Sequence, residues 1–328
     1  MEKEKKHYGT IDGLRTIAAF GIVMMHIRAN TNYIISGYLY NKVIPSFTNF
    51  VFLFMVISAF GMYSGYYEKF LNNKIVLSDF YKKRFKKVLP FFSILVILDV
   101  LLFPSVESFY EGFCDLTLMF GFLPKFLSVI GVGWFLGLIF IFYISFPFFV
   151  FLLETKKRAW IVFALSLIYN YISYNFFDLG RNNILYSACF FIAGGLIYLY
   201  RQKILNYNKN LIFFITVIII IAYYVFDENV YMCLSIACML LICAILKRGG
   251  ILENKITKFF SSISLEIYLS HMLIFRVIEK LKLNIILGNG WVQFLLTLTM
   301  VVCGTTIFSY IVKGIIDYMF KTLEKLKI

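Results

Sequence analysis

Asp12, Arg15 and His26 stand in one otherwise apolar stretch, YGTIDGLRTIAAFGIVMMHIRAN. On a helix, Asp12 and Arg15 are three positions apart, so they share a face and can pair. Arg15 and His26 are eleven apart, which is three turns plus about 20°, so His26 joins the same face about 16 Å further along the axis. An imidazole accepts a proton near neutral pH, so His26 is a candidate general base. The plainer alternative is that Asp12 and Arg15 anchor a helix end at lipid headgroups while His26 bonds to a neighbouring helix. Periodicity alone leaves both open.

Two further segments carry groups able to do chemistry. FYKKRFKKVLP (80–90) holds five basic residues within six positions, suited to anionic headgroups. Within it Arg84 and Lys87 are one helical turn apart, a spacing that can also grip a phosphate-rich ligand. In SSISLEIYLSHMLIF (261–275), Ser264, Tyr268 and His271 share a face by the i, i+4, i+7 rule, while Glu266 points about 140° away from His271. A glutamate and a histidine within one apolar span exceed what packing needs, and a hydrogen-bonded structural network stands beside catalysis as the explanation.

The elements that must position these groups follow from composition. The chain has 328 residues, 61% hydrophobic and 15% charged, against about half and a quarter for a soluble domain. Ten apolar stretches are read as transmembrane helices, at roughly 10–28, 48–66, 88–104, 132–153, 159–175, 184–200, 211–226, 230–246, 262–280 and 291–318. The segment 109–127 is apolar but interrupted by Glu111, Asp115 and Pro124, and is expected to be interfacial or re-entrant. Alternate connections carry 23 basic residues on one side and 7 on the other, which places both termini in the cytoplasm. The expectation is an all-α polytopic membrane protein with one transmembrane domain over 1–328, no secretory signal peptide and no appended soluble domain.

The net charge of +14 invites a nucleic-acid reading, but the basic residues sit in short connections between spans, so no nucleic-acid partner is expected. Five of the six cysteines lie inside apolar spans. Cys233, Cys238 and Cys243 are five residues apart, turning successive thiols about 140° on a helix, so no metal site is expected from them.

Taken together, the three segments resemble the acyltransferase-3 family of membrane O-acyltransferases. The family's Asp-Gly-Leu-Arg followed by a histidine is matched by Asp12, Gly13, Leu14, Arg15 and His26. Its Arg-x-x-Arg in the loop before the third span is matched by Arg84 and Lys87 ahead of Pro90. Trp134, Phe135, Leu136, Tyr143 and Pro147 match the opening and interior of the fourth span, and Ile263, Ser264, Ile267, Tyr268, Leu269 and His271 match the late Ile-Ser and Ile-Tyr-Leu-x-His motifs. Two departures stand out: Lys87 replaces an arginine and loses its planar fork, and Ile139 stands where many O-antigen-modifying members carry a glutamate. The Trp-Phe-Leu form resembles the surface-polysaccharide and common-antigen acetyltransferase branch, which lacks a hydrolase-like domain.

The resemblance implies an enzyme moving an acyl group, most often acetyl, from acyl-CoA to a hydroxyl of a cell-surface glycan or its lipid-linked precursor, in the bacterial cytoplasmic membrane. Acyl-CoA is then a donor substrate, with no permanently bound cofactor; the other partners are the glycan acceptor and membrane lipids, with a homo-oligomer left open. His26 takes the acceptor's proton, Arg15 held by Asp12 offers positive charge to CoA phosphates or a developing oxyanion, and Arg84 with Lys87 docks CoA. Trp134, Tyr268 and His271, with Glu266, are assigned to the acceptor. The rival reading is a transporter or flippase with Asp12, Arg15, Glu266 and His271 along its pathway. A glycan polymerase or ligase is a third, for which the outer loops are short.

Overall fold

The computed structural model describes residues 8–122, 128–226, 229–247 and 249–326. Among these there is no strand. The principal helices are α1 (Gly9–Ala29), α2 (Phe50–Leu71), α3 (Leu77–Leu102), α4 (Val106–Thr117), α5 (Trp134–Leu152), α6 (Lys156–Phe177), α7 (Ile184–Ile204), α8 (Lys209–Val225), α9 (Val230–Leu246), α10 (Lys255–Ser262), α11 (Ser264–Lys280) and α12 (Trp291–Lys325). A helix satisfies every interior backbone N–H and C=O within itself, which is what a hydrocarbon surrounding demands. Caps mark several starts: the side chains of Thr155, Asn183, Asn208 and Asn229 accept backbone N–H groups at the heads of α6, α7, α8 and α9.

Each expected apolar segment falls in a helix, with shifted ends. Among the described residues, six stretches are long and apolar enough to cross a membrane: α1, Leu39–Leu71, Gly131–Leu152, α6, α7 and α12. The pair α10 and α11 adds a seventh if its 67° bend is a break within one span. At 17 residues each, α8 and α9 rise only about 25 Å, and α3 carries six charged residues in its first eleven. The result is an all-helical chain with the makeup of a multi-pass membrane protein.

Three local expectations change. The basic cluster 80–90 is no loop: α3 starts at Leu77 and runs helically through Pro90. The stretch expected from 109 is helical already from Val106, where Ser105 and Ser108 form a reciprocal cap, while its residues 123–127 lie outside the described residues. The ninth expected span begins at a 67° bend, because Ile263 leaves helical geometry between α10 and α11. Residues 1–7, Lys125, Arg248 and Lys327, which enter the charge count, also lie outside the described residues.

The chain divides into two compact units. The first holds residues 1–15, 49–82 and 135–258. Its centre is the crossing of α2 and α7, made close by adjacent glycines. A Cβ on Gly194 would collide with the Val56 carbonyl oxygen, and one on Gly195 would lie 2.7 Å from the Tyr63 ring. Small residues let helix backbones approach this way in a membrane. Phe190 stacks on Phe52 and Phe191 on Phe142, with centroids 4.2 and 3.9 Å apart.

The start of α1 belongs to this unit and is fastened at two points. Thr10 Oγ1 donates to the carbonyls of Ala244 and Lys247 at the end of α9. Gly13 faces the 252 backbone so closely that a Cβ would sit 2.5 Å from the Leu252 oxygen and 2.7 Å from its Cα. Backbone cannot swing aside as a flexible side chain does. Gly13→Ala is therefore expected to cost about 1–3 kcal/mol, read as a lower melting temperature in detergent. Gly65→Ala is the control, since nothing lies within 4 Å of its Cβ; it should leave melting unchanged or slightly higher. Equal melting of the two variants would remove this reason for the glycine in the Asp-Gly-Leu-Arg sequence.

The second unit holds residues 16–48, 83–134 and 259–328. Its core joins Val23 and Ile27 of α1, Tyr33, Tyr40, Ile44, Ile267 and Phe275 of α11, and Phe294 and Val301 of α12. Ion pairs tie its helices, two of them made by α11. Asp99 of α3 meets Arg276 of α11 at 3.0 Å, and Glu266 of α11 meets Lys313 of α12 at 3.0 Å. Lys313 also donates to the Ser262 carbonyl left open at the bend between α10 and α11.

Candidate active site

His26 lies in the last turn of α1, whose end is fixed when Asn30 donates its backbone and side-chain N–H groups to the His26 carbonyl at 3.0 and 2.8 Å. Its imidazole is half-buried. Across from it stands His271 of α11, with ring centroids 5.0 Å apart and planes 46° apart. These residues are 245 positions apart in sequence, and no spacing rule connects them.

His271 is fully buried. Its Nδ1 lies 2.6 Å from the Tyr268 carbonyl oxygen. A carbonyl only accepts, so Nδ1 carries the proton and, in the neutral ring, Nε2 carries the lone pair. That Nε2 is buried with no hydrogen-bond partner among the described residues. The pair is thus one half-buried imidazole backed by a buried imidazole with an uncommitted acceptor, an arrangement able to take up and share one proton.

Tyr268 donates its hydroxyl to the Val132 carbonyl at 2.8 Å. Val132 belongs to the 3-10 turn Gly131–Gly133 that leads into Trp134, the first residue of α5. Tyr268 therefore fastens the turn before Trp134 rather than presenting a free hydroxyl. Trp134 is half-buried. Glu266, buried on the opposite side of α11 from His271, is engaged by Lys313; its place is in the tie between α11 and α12.

Asp12 and Arg15 pair across one turn at 3.9 Å, as their spacing predicts. Asp12 is buried and the Arg15 side chain is about one third exposed. The Arg15 guanidinium lies 3.4 Å from where a Cβ on Gly61 of α2 would stand, an ordinary contact distance. Tyr143 is close enough to act on it electrostatically. Arg84 is half-buried and Lys87 exposed, one turn apart on α3. Between them in sequence, Lys86 reaches Glu324 at 2.6 Å and lies over the Phe320 ring at 4.4 Å.

A family model describing an acyltransferase domain of the acyltransferase-3 type matches residues 8–312. The chain belongs to that family. The comparisons with curated proteins and with solved structures return no match. Membership makes the chain a membrane acyltransferase and sets the transporter reading aside. Asp12, Arg15, Arg84, Lys87, Trp134, Tyr268, Glu266 and both histidines all lie within the matched residues.

Three residues of the acyltransferase had no role assigned from sequence. Lys313 was a lone lysine in an apolar span, yet a glutamate and a lysine in successive spans are a signal for an ion pair. Asp99 lay unremarked at the end of the third span and pairs with Arg276. Asp115 registered only as an interruption; it is fully buried and accepts from Ser128 Oγ at 3.0 Å and from the Val129 N–H at 3.1 Å. Burial pushes its carboxyl up to about 7 against the pull of the Ser128 hydrogen bond, and Glu111 adds to the rise. In the first unit, Asn49, Phe52, Arg181, Tyr186, Asn229, Val230 and Cys233 line a separate open cavity of about 210 Å³.

Proposed function

We propose that this acyltransferase moves an acyl group, acetyl in the simplest case, from acyl-CoA to a hydroxyl of a cell-surface polysaccharide or its lipid-linked precursor in the bacterial cytoplasmic membrane. The observation that carries the reading is the contact of half-buried His26 with buried His271. In the transfer, the acceptor oxygen attacks the thioester carbonyl carbon as its proton passes to His26. The carbon–sulfur bond breaks, and the proton on His26 goes to the departing CoA sulfur, leaving ester and free CoA. His271 supports the charge that His26 carries in between. Arg15, held by Asp12, supplies fixed positive charge for CoA phosphates or the oxyanion. Trp134 lies on the acceptor side, with Tyr268 holding its approach turn.

Arg84 and Lys87 are the proposed CoA anchor, on the side that the charge bias of the connections assigns to the cytoplasm in this reading. Charge-assisted contacts to phosphate are worth about 1.5–3 kcal/mol. Replacing both with alanine is expected to raise KM for acyl-CoA by roughly ten- to a hundredfold, with kcat little changed. Initial rates against acyl-CoA concentration measure it; an unchanged KM returns the cluster to lipid headgroups.

The reading as a whole is tested by giving purified protein in detergent radiolabelled acetyl-CoA and a surface-glycan acceptor. Labelled glycan ester and free CoA are the expected products. CoA release without label on any hydroxyl would defeat the proposed acceptor class, and no reaction with a range of acyl-CoA thioesters would defeat the proposed donor.

A further inference from the structure

We propose that Asp115 is a positioning residue for acyl transfer, fixing the 128–133 loop from which the geometry of Tyr268, His271 and Trp134 is set. The proposal rests on the reading of His26 and His271 given above.

The connection is continuous within the second unit. Asp115 Oδ2 takes the Ser128 hydroxyl and the Val129 N–H. The Gly133 N–H closes the following turn on the Ile130 carbonyl at 2.6 Å. The Val132 carbonyl then receives the Tyr268 hydroxyl, and the Tyr268 carbonyl receives His271 Nδ1–H. Gly133 is held on two sides, since a Cβ there would lie 3.0 Å from Ser128 Oγ and 3.3 Å from the Phe92 ring. One carboxyl thus bonds the start of the loop, and Tyr268, whose own carbonyl holds His271, bonds its end.

The helix that carries Asp115 is built to aim it inward. A Cβ on Gly112, one turn earlier, would lie 3.1 Å from Val100 and 3.4 Å from Val96 of α3. Gly112 and Asp115 are the buried residues of α4. Val106, Phe109, Tyr110 and Phe113 of the same helix are each about two-thirds exposed or more, an apolar face suited to lipid. The helix therefore buries one ionisable side chain and nothing else of size. A buried carboxyl is costly unless its bonds are used, and Asp115 uses one oxygen for the loop while Oδ1 has no partner among the described residues.

Asparagine can accept the same two hydrogen bonds without a titrating group, which separates the hydrogen-bonding duty from charge. The groups facing it are Glu111 on α4 and, in the loop, the Ser128 hydroxyl and the Val129 N–H. With its folded value raised to about 7, Asp115 favours the folded state most fully below its ordinary range near 4 and loses that contribution as pH rises through 7.

The test compares Asp115→Ala and Asp115→Asn in a Trp160→Phe, Trp291→Phe background, which leaves Trp134 as the single tryptophan of three. Asp115→Ala should lower kcat about 10- to 100-fold per folded molecule, leave KM for acyl-CoA unchanged and shift Trp134 emission. Asp115→Asn should restore most of the turnover and the emission, and should remove the fall in melting temperature between pH 5 and 8. Wild-type kcat and emission in Asp115→Ala would overturn the proposal, as would a loss confined to the amount of folded protein. Failure of the parent protein to use any acyl-CoA would count against the proposed reaction instead; the emission and melting measurements would still decide whether Asp115 sets the loop.

Discussion

His26→Ala is expected to lower kcat for acyl transfer by about 10²- to 10⁴-fold, the range a positioned general base supplies. KM for acyl-CoA should change little, because the proposed phosphate contacts lie on α3 and not on His26. The fold should survive. His26 is half-buried, and its neighbours Val23 and Ile27, which carry the packing of this part of α1, remain in place. The α1 end is held by Asn30 on the His26 carbonyl, a backbone group that alanine retains. Loss of turnover with unchanged melting and detergent monodispersity is the signature of lost chemistry; loss of both would point to a packing role for the ring.

His271→Phe is the second large effect, expected to lower kcat about 10- to 100-fold, the worth of one interaction with a charged group. Phenylalanine fills the buried space next to His26 but brings neither nitrogen. It removes the Nε2 acceptor that would support the charge on His26, and the Nδ1–H that sets the ring on the Tyr268 carbonyl. Because the two imidazoles act on one proton, the effects should not add. The double variant with His26→Ala should be no slower than His26→Ala alone. Independent, multiplying losses would mean that His271 acts elsewhere.

Much of this arrangement was legible in the sequence because it is local. Asp12 with Arg15, and Arg84 with Lys87, are one-turn relations that any helix imposes, and both pairs sit on helices as the spacing requires. Apolar runs gave the helices. Other features depend on neighbours distant in sequence. Hydropathy treated the charged first turns of α3 as a loop, since lysine and arginine form helices well without being apolar. The bend at Ile263 is stabilised in part by Lys313, fifty residues away. The meeting of His26 with His271, and of Asp115 with the loop before Trp134, comes from packing between segments that no period links. Gly13 falls between these cases: its type was read as part of a motif, and its reason is the Leu252 backbone.

The most direct measurement counts ester formed and CoA released per folded molecule, in matched detergent preparations of the parent protein and His26→Ala, with and without the glycan hydroxyl acceptor. One CoA freed for each ester, dependent on the acceptor and lost with the imidazole, is the predicted result. An alanine variant that esterifies the acceptor at the parent rate would contradict it.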